Sequence, residues 1–175
     1  MTVLFYTREP GVPPPDAPLP VDTSIRRWRP AADGLPPRGP RRRRNLCWWG
    51  MTRLGVLADD RFVEISLWRW GRLLHRLILT PRWHRFPFMA DGDLQIGDLW
   101  TDPDARGRGL ARAAIAEALR SAGDGAGRLW YVVDAANMPS VRLVESCGFA
   151  LVGKGRRTRP CGIAPAGRFV IDRED

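Results

Sequence analysis

Along this chain the spacing of apolar positions changes character several times. From Leu46 to Thr80 they come in short runs rich in branched and aromatic residues, separated by turn signals. "LCWWGMTRLGVLA" is apolar and broken by glycine, and reads as a strand closed by the turn residues Asp59 and Asp60. "RFVEISLWRW" (61–70) alternates in part, and Phe62, Val63 and Ile65 favour a strand. Gly71 then turns the chain into "RLLHRLILT" (72–80), so an antiparallel hairpin or meander is predicted. Two prolines and an Asp-Gly-Asp make "PRWHRFPFMADGD" a loop. "LQIGDLW" (94–100) is a further strand, in which Gly97 marks a bulge or a close approach to the backbone.

The period then becomes helical. Leu110, Ala111, Ala114, Ile115, Ala118 and Leu119 form one stripe at three- and four-residue spacing, ended by Gly123, Gly125 and Gly127. "RLWYVVDA" (128–135) is a strand. "MPSVRLVESC" is a short helix with Asn137 placed to cap it and Pro139 in its first turn, stopped at Gly148. "FALVG" and "RFVID" supply closing strands, and no internal repeat is found.

The stretch before Leu46 is different. "EPGVPPPDAPLP" is extended by its prolines, so residues 1–21 are assigned to a proline-rich arm ahead of one domain over 22–175. A short strand within 23–34 ends at Pro30. Residues 35–45 form a Pro/Arg-rich loop whose run Arg41 to Arg44 is either solvated or a binding patch. The first ten residues lack a secretory pattern, and no apolar run reaches the ~18 residues of a membrane helix. With Cys47, Cys147 and Cys161 odd in number and unpatterned, free thiols, no metal site, no membrane contact and a cytoplasmic setting are expected.

Charge adds one question. The net charge is +9, and of 28 basic residues all but Lys154 are arginine. They are scattered apart from the 41–44 run, which argues against a dedicated nucleic-acid site and suits anionic small molecules equally well.

The chemistry concentrates at "LWTDPDARGRGLARAAIAEAL" (99–119). A strand, a glycine turn and a helix start make an anion site, because the first-turn amides lack partners and the helix dipole is positive there. Side chains at Gly107 or Gly109 would block that approach, while Arg106 and Arg108 add donors. The Gly-Lys-Ser/Thr of a P-loop is absent, and the dinucleotide fingerprint fails at Arg112.

"DARGRGLA" resembles the Arg/Gln-x-x-Gly-x-Gly/Ala signature of the GNAT acetyltransferases through Arg106, Gly109 and Ala111. "NMPSVRLVESCGF" resembles that family's downstream Asn-x-x-Ser/Ala-x-x-Leu-Tyr-x-x-x-Gly-Phe segment. The resemblance covers about residues 46–169 and implies an α/β fold with a mixed, mostly antiparallel sheet flanked by helices. It implies acetyl-CoA as acyl donor, its pyrophosphate on the amides of Arg106, Gly107, Arg108, Gly109, Leu110 and Ala111. The arm of the donor would run along Leu99, Trp100 and Thr101 and meet Asn137 and Ser140, for which simple helix capping is the other reading.

The resemblance further implies direct attack of a small-molecule amine on the thioester, with a strand carboxylate as base. Asp98 is the first candidate, with a local ion pair as its other reading; His75 is the second, with a structural strand histidine as its other reading; Glu64 is a weaker third. The family's tyrosine, the acid for the departing thiolate, is replaced by Val144. Residues 81–101 should wall the acceptor cleft through Trp83, Phe86 and Phe88, with Arg82, His84 and Arg85 available to phosphate. This segment resembles acetyltransferases of bacterial surface polysaccharides, which implies an amino sugar, nucleotide-linked, as acceptor. A homodimer is compatible with the sequence. Two other classes stay open: an acyl-CoA-binding module without turnover, and a basic nucleic-acid-associated protein.

Overall fold

The computed structural model describes residues 2–36, 41–123, 125–158 and 167–172. Eight strands form one sheet: β1 (Thr2–Arg8), β2 (Ser24–Trp28), β3 (Val63–Arg69), β4 (Arg72–Pro81), β5 (Leu94–Thr101), β6 (Leu129–Asp134), β7 (Ala150–Arg157) and β8 (Phe169–Ile171). Their order across the sheet is β2-β3-β4-β5-β6-β1-β7-β8, antiparallel throughout except for the pair β5–β6. The helices are a single turn α1 (Pro30–Asp33), α2 (Arg42–Arg53), α3 (Leu110–Ala122) and α4 (Met138–Ser146). This is the mixed, mostly antiparallel α/β architecture that the motifs imply.

The two sheet faces differ in chemistry. Val63, Ile65, Leu67, Leu77, Leu79, Leu94, Ile96 and Tyr131 pack with Ala114, Ile115 and Ala118 of α3 and with Val141 and Val144 of α4 into the main core. Removing that much apolar surface from water is the chief source of stability. The opposite face holds buried Glu64, Ser66, Arg76, Thr80 and Gln95 beside a smaller aromatic cluster of Trp28, Phe62, Trp48 and Trp83.

Two expectations are corrected. Residues 2–8, assigned to the arm, form β1, which inserts between β6 and β7 and pairs with both along its length. A strand with partners on both edges and Val3, Phe5 and Tyr6 buried is apolar on both faces, so it shows no alternation. Of the described residues assigned to the arm, only 9–21 remain without helix or strand. The second correction is α2: its residues read as loop, then strand, yet they are helical, and Trp48, Trp49 and Met51 pack on Phe62 and Trp28. Branched and aromatic neighbours mimicked a strand signal that tertiary packing overrides.

Candidate active site

The site starts where two strands part. β5 and β6 pair only over Leu94–Ile96 and Leu129–Tyr131, although both continue. Beyond Ile96, β5 keeps β4 as partner on one side, and its backbone edge towards β6 has no ladder partner among the described residues. An open edge of this kind pairs readily with an extended amide-bearing ligand.

At the point of parting, β5 carries an extra residue. Ile78 faces Gly97 and Arg76 faces Trp100, so two steps on β4 oppose three on β5. Asp98 takes a left-handed φ of 53° to accommodate this bulge. The irregularity expected at Gly97 therefore falls one residue later. Gly97 has its own reason: a Cβ there would lie 2.7 Å from the Gln95 amide nitrogen, and Gln95 is buried and bonded to Thr80 and to the Ile96 carbonyl.

Asp98 is the hub of an arginine cluster. Nη1 of Arg76 donates to its carboxylate at 2.5 Å and to its carbonyl at 2.8 Å. Arg41 pairs with the same carboxylate oxygen at 3.1 Å, and Arg44 pairs with it too. The Arg41–Arg44 run is thus not a loop: it forms the cap and first turn of α2, Arg41 and Arg44 turn to Asp98 of β5, and Arg42 and Arg43 are exposed.

Past the bulge, the chain builds a cradle. A 3₁₀ turn at Pro103–Ala105 is capped by the Asp102 carboxylate, which accepts from the Asp104 amide at 3.1 Å. Arg72 clamps this turn by donating to Asp102 at 2.8 Å and to Asp104 at 2.9 Å. Gly107 and Gly109 both have φ of 74°, a conformation that favours glycine, and Gly109 caps α3. A Cβ at either would meet nothing within 4 Å, so these glycines border open space. The cleft so formed has a volume of about 580 Å³ and is lined by Leu99, Thr101, Arg106 to Arg112, Asn137, Ser140 and His75. Every residue expected to hold the donor except Trp100 borders it; Trp100 contributes backbone on the same open edge. Asn137 caps α4 through a bond from the Ser140 amide at 3.4 Å, so capping and cleft lining coexist.

The two catalytic candidates lie on opposite faces. His75 lines the cleft opposite Thr101, fully buried, with Nδ1 2.7 Å from the Thr101 hydroxyl and Nε2 unbonded. Burial pushes its pKa down to about 4, so the imidazole is neutral near pH 7 and a weak base. It also sits beyond the bulge, towards the glycine turn. Asp98 faces the other side, its Oδ2 engaged by three guanidiniums.

The third candidate is better placed. Glu64 on β3 lies opposite Ile78, which in turn lies opposite Gly97. Its Oε1 accepts from Asn45 of α2 at 3.2 Å, and its Oε2 is buried without a partner. Burial raises its pKa, against the opposing pull of Asn45 and Arg41. Asn45 was not singled out in the sequence, because its segment read as loop and its burial appears only in the fold.

A second pocket, of about 260 Å³, opens on this polar face. It is lined by Gly97, Asp98, Arg44, Trp48, Trp83 and Arg85 among others. Phe86 borders it, whereas Phe88 packs into the core with Phe5 and Trp130, and Arg82 pairs with Asp91. His84 lies at a neighbouring hollow beside Ala58. Val144 is fully buried in the main core, and Leu143 beside it lines the cleft. Cys47 and Cys147 are free thiols, and Cys161 lies outside the described residues. Among the described residues, no cluster of His, Cys, Asp or Glu is arranged as a metal site and no helix is long and apolar enough to cross a membrane.

Known structures share this architecture at low sequence identity. A GCN5-related N-acetyltransferase from Sphaerobacter thermophilus is 18% identical with a TM-score of 0.57, covering 87% of this chain and 49% of its own. A tandem GNAT protein from the clavulanic acid biosynthesis pathway is 15% identical with a TM-score of 0.53, covering 86% of this chain and 50% of its own. An aminoglycoside N-acetyltransferase solved in complex with CoA is 19% identical with a TM-score of 0.51, covering 73% of this chain and 91% of its own. The chain thus spans about half the length of the first two, and no curated protein matches it. Residues 26–149 match the model of the acetyltransferase (GNAT) family, and the chain belongs to that family.

Proposed function

We propose that this protein transfers an acetyl group from acetyl-CoA directly to a primary amine of a small molecule. The observation that carries the reading is the parting of β5 from β6 at Ile96, which leaves an open backbone edge leading into the glycine turn of α3. The amides of residues 106–111 would hold the pyrophosphate, and the edge at Leu99–Thr101 would pair with the donor's arm. Bound acetyl-CoA supplies an activated acyl group.

The chain's own residues do the rest. The main-chain amides at the Asp98–Leu99 bulge, beside the gap between the strands, would donate to an acyl oxygen. The amine enters from the polar-face pocket, so donor and acceptor approach from opposite sides of the sheet. Glu64 takes the proton, directly or through water, because its free Oε2 and raised pKa suit a base better than Asp98 or His75 does. The leaving thiolate, with a pKa near ~8.5, departs without a tyrosine at Val144. The reaction is placed in the cytoplasm, where free thiols stay reduced.

An acceptor as large as a nucleotide-linked amino sugar would fill the 260 Å³ pocket with its sugar end alone. One specific observation favours a second reading, an acyl-CoA-binding module: the tyrosine position is a buried valine. Release of free CoA thiol on mixing protein, acetyl-CoA and a pool of primary amines separates the two. Amine-dependent release supports the transferase, and binding with release no faster than hydrolysis supports the module.

A further inference from the structure

In the pocket on the polar face of the sheet, the polar groups bond one another and leave aromatic faces uncommitted. Arg44 pairs with Asp98, whose carboxylate also holds Arg41 and Arg76. The Thr80 hydroxyl donates to the Gln95 side chain at 3.3 Å, and the Gln95 amide donates to the Ile96 carbonyl at 2.7 Å. Arg85 lays its guanidinium over the Trp83 ring, 5.0 Å from its centre. A hydroxyl or second charge on an acceptor would give up water here without a matching partner from these groups, which weakens binding.

The rest of the lining is apolar and mostly aromatic: Trp48, Trp83, Phe86, Phe169, Ile78 and Val132. Trp48, Trp83 and Phe169 are only partly buried, so ring surface is left for a ligand. Trp83 packs on two clusters, that of Trp28 and Phe62 and that of Phe86 and Met89. It meets Trp48 and Phe86 edge to face, with ring centres 5.5 and 6.1 Å apart. This wall is set before a ligand arrives, which limits the entropy lost on binding. The 260 Å³ cavity has room for one ring system, and Gly97 and Asp98 border it too, so an amine on a short chain from that ring lies at the bulge.

We infer that the acceptor is a primary amine joined by a short alkyl chain to one aromatic ring, the ring held against Trp48, Trp83 and Phe169 and the amine at the bulge. The inference rests on the transferase reading above and adds the apolar, planar character of the acceptor. The reaction is unchanged: the amine nitrogen bonds the acetyl carbon, the carbon–sulfur bond breaks, Glu64 takes the amine proton and CoA leaves as thiolate.

The test measures CoA release with 2-phenylethylamine and tryptamine, with 2-cyclohexylethylamine as a non-planar ring, and with ethylamine, glucosamine and spermidine, alongside calorimetric binding of acetyl-CoA. The expected kcat/KM for the aryl amines is at least about tenfold above that for ethylamine, glucosamine and spermidine, and about threefold or more above that for 2-cyclohexylethylamine. In Trp83→Leu and in Trp48→Leu the ratio of 2-phenylethylamine to ethylamine should fall towards unity, with acetyl-CoA bound as before. If Trp83→Leu does not fold, Trp48→Leu carries the comparison. Turnover of the small or polar amines as fast as that of the aryl amines overturns the inference and leaves the transferase reading standing. So does equal turnover of the cyclohexyl amine, or an aryl preference that folded variants retain in full. Native protein that does not bind acetyl-CoA, or binds it without release to any amine, instead overturns the transferase reading, and the inference with it.

Discussion

Arg76 donates through a single nitrogen to both the carbonyl and the carboxylate of Asp98, and so fastens the one left-handed residue of β5 to the neighbouring strand. Arg76 is buried, and its partner is the residue whose left-handed φ accommodates the bulge of β5. Cutting this pair by Arg76→Met leaves Asp98 to the two half-exposed arginines of the α2 start. We expect a stability loss of about 2–4 kcal/mol in urea denaturation, since one partner of a mostly buried pair is removed. A change within 0.5 kcal/mol would show that the bulge holds itself.

Glu64 and Asp98 make different predictions as bases. Glu64→Gln should lower kcat by about a hundredfold, in the range of a lost general base, and remove the acidic limb of the pH–rate profile. That limb lies above the ordinary carboxylate range in the native enzyme because burial raises the Glu64 pKa. Asp98→Asn keeps a residue that tolerates a left-handed φ and should chiefly weaken the grip of the arginine cluster, seen in KM for the acceptor. A hundredfold fall in kcat for Asp98→Asn, with Glu64→Gln near native, would exchange the roles.

His75 couples stability to acid. Its folded pKa of about 4 lies below the unfolded value of 6.5, so below pH 6.5 the unfolded chain binds a proton that the folded chain does not. Its contribution is complete above pH 6.5 and is lost as the pH falls towards 4, by about 3 kcal/mol. Glu64 works in the opposite direction, because its raised pKa favours the folded state at low pH. The comparison of native protein with His75→Gln isolates the histidine: the variant should lose less stability between pH 6.5 and 4 by that amount. Parallel curves would contradict a buried neutral imidazole.

Restoring the family's tyrosine should not help. Val144 has no exposed surface and belongs to the main core, so Val144→Tyr overfills it and should destabilise the protein by about 1–3 kcal/mol. A melting temperature held at the native value, with faster CoA release, would show that the helix can turn this position into the cleft.

What the sequence disclosed and what it hid have physical causes. The stripe of α3, the glycines before it, β5, β6 and the capped start of α4 were legible because periodicity, left-handed glycines and Asn137 act within a few residues of one another. β1 was hidden because its partners lie more than 120 positions away and bury both its faces. The arginine run was misread because its meaning is a contact 57 positions distant, between Arg41 and Asp98. The choice among carboxylates was illegible for the same reason: only the fold puts three guanidiniums on Asp98 and leaves Glu64 with an unbonded oxygen.

The central claim is that the glycine turn at the start of α3 receives the pyrophosphate of acetyl-CoA. Calorimetric titration of acetyl-CoA into the native protein and into Gly109→Trp tests it most directly, since position 109 borders open cleft and a large side chain there closes it. The account predicts one-to-one binding by the native protein and at least a hundredfold weaker binding by a variant whose circular dichroism is native. Equal affinity in the two proteins, or no binding by the native chain at millimolar acetyl-CoA, would contradict it.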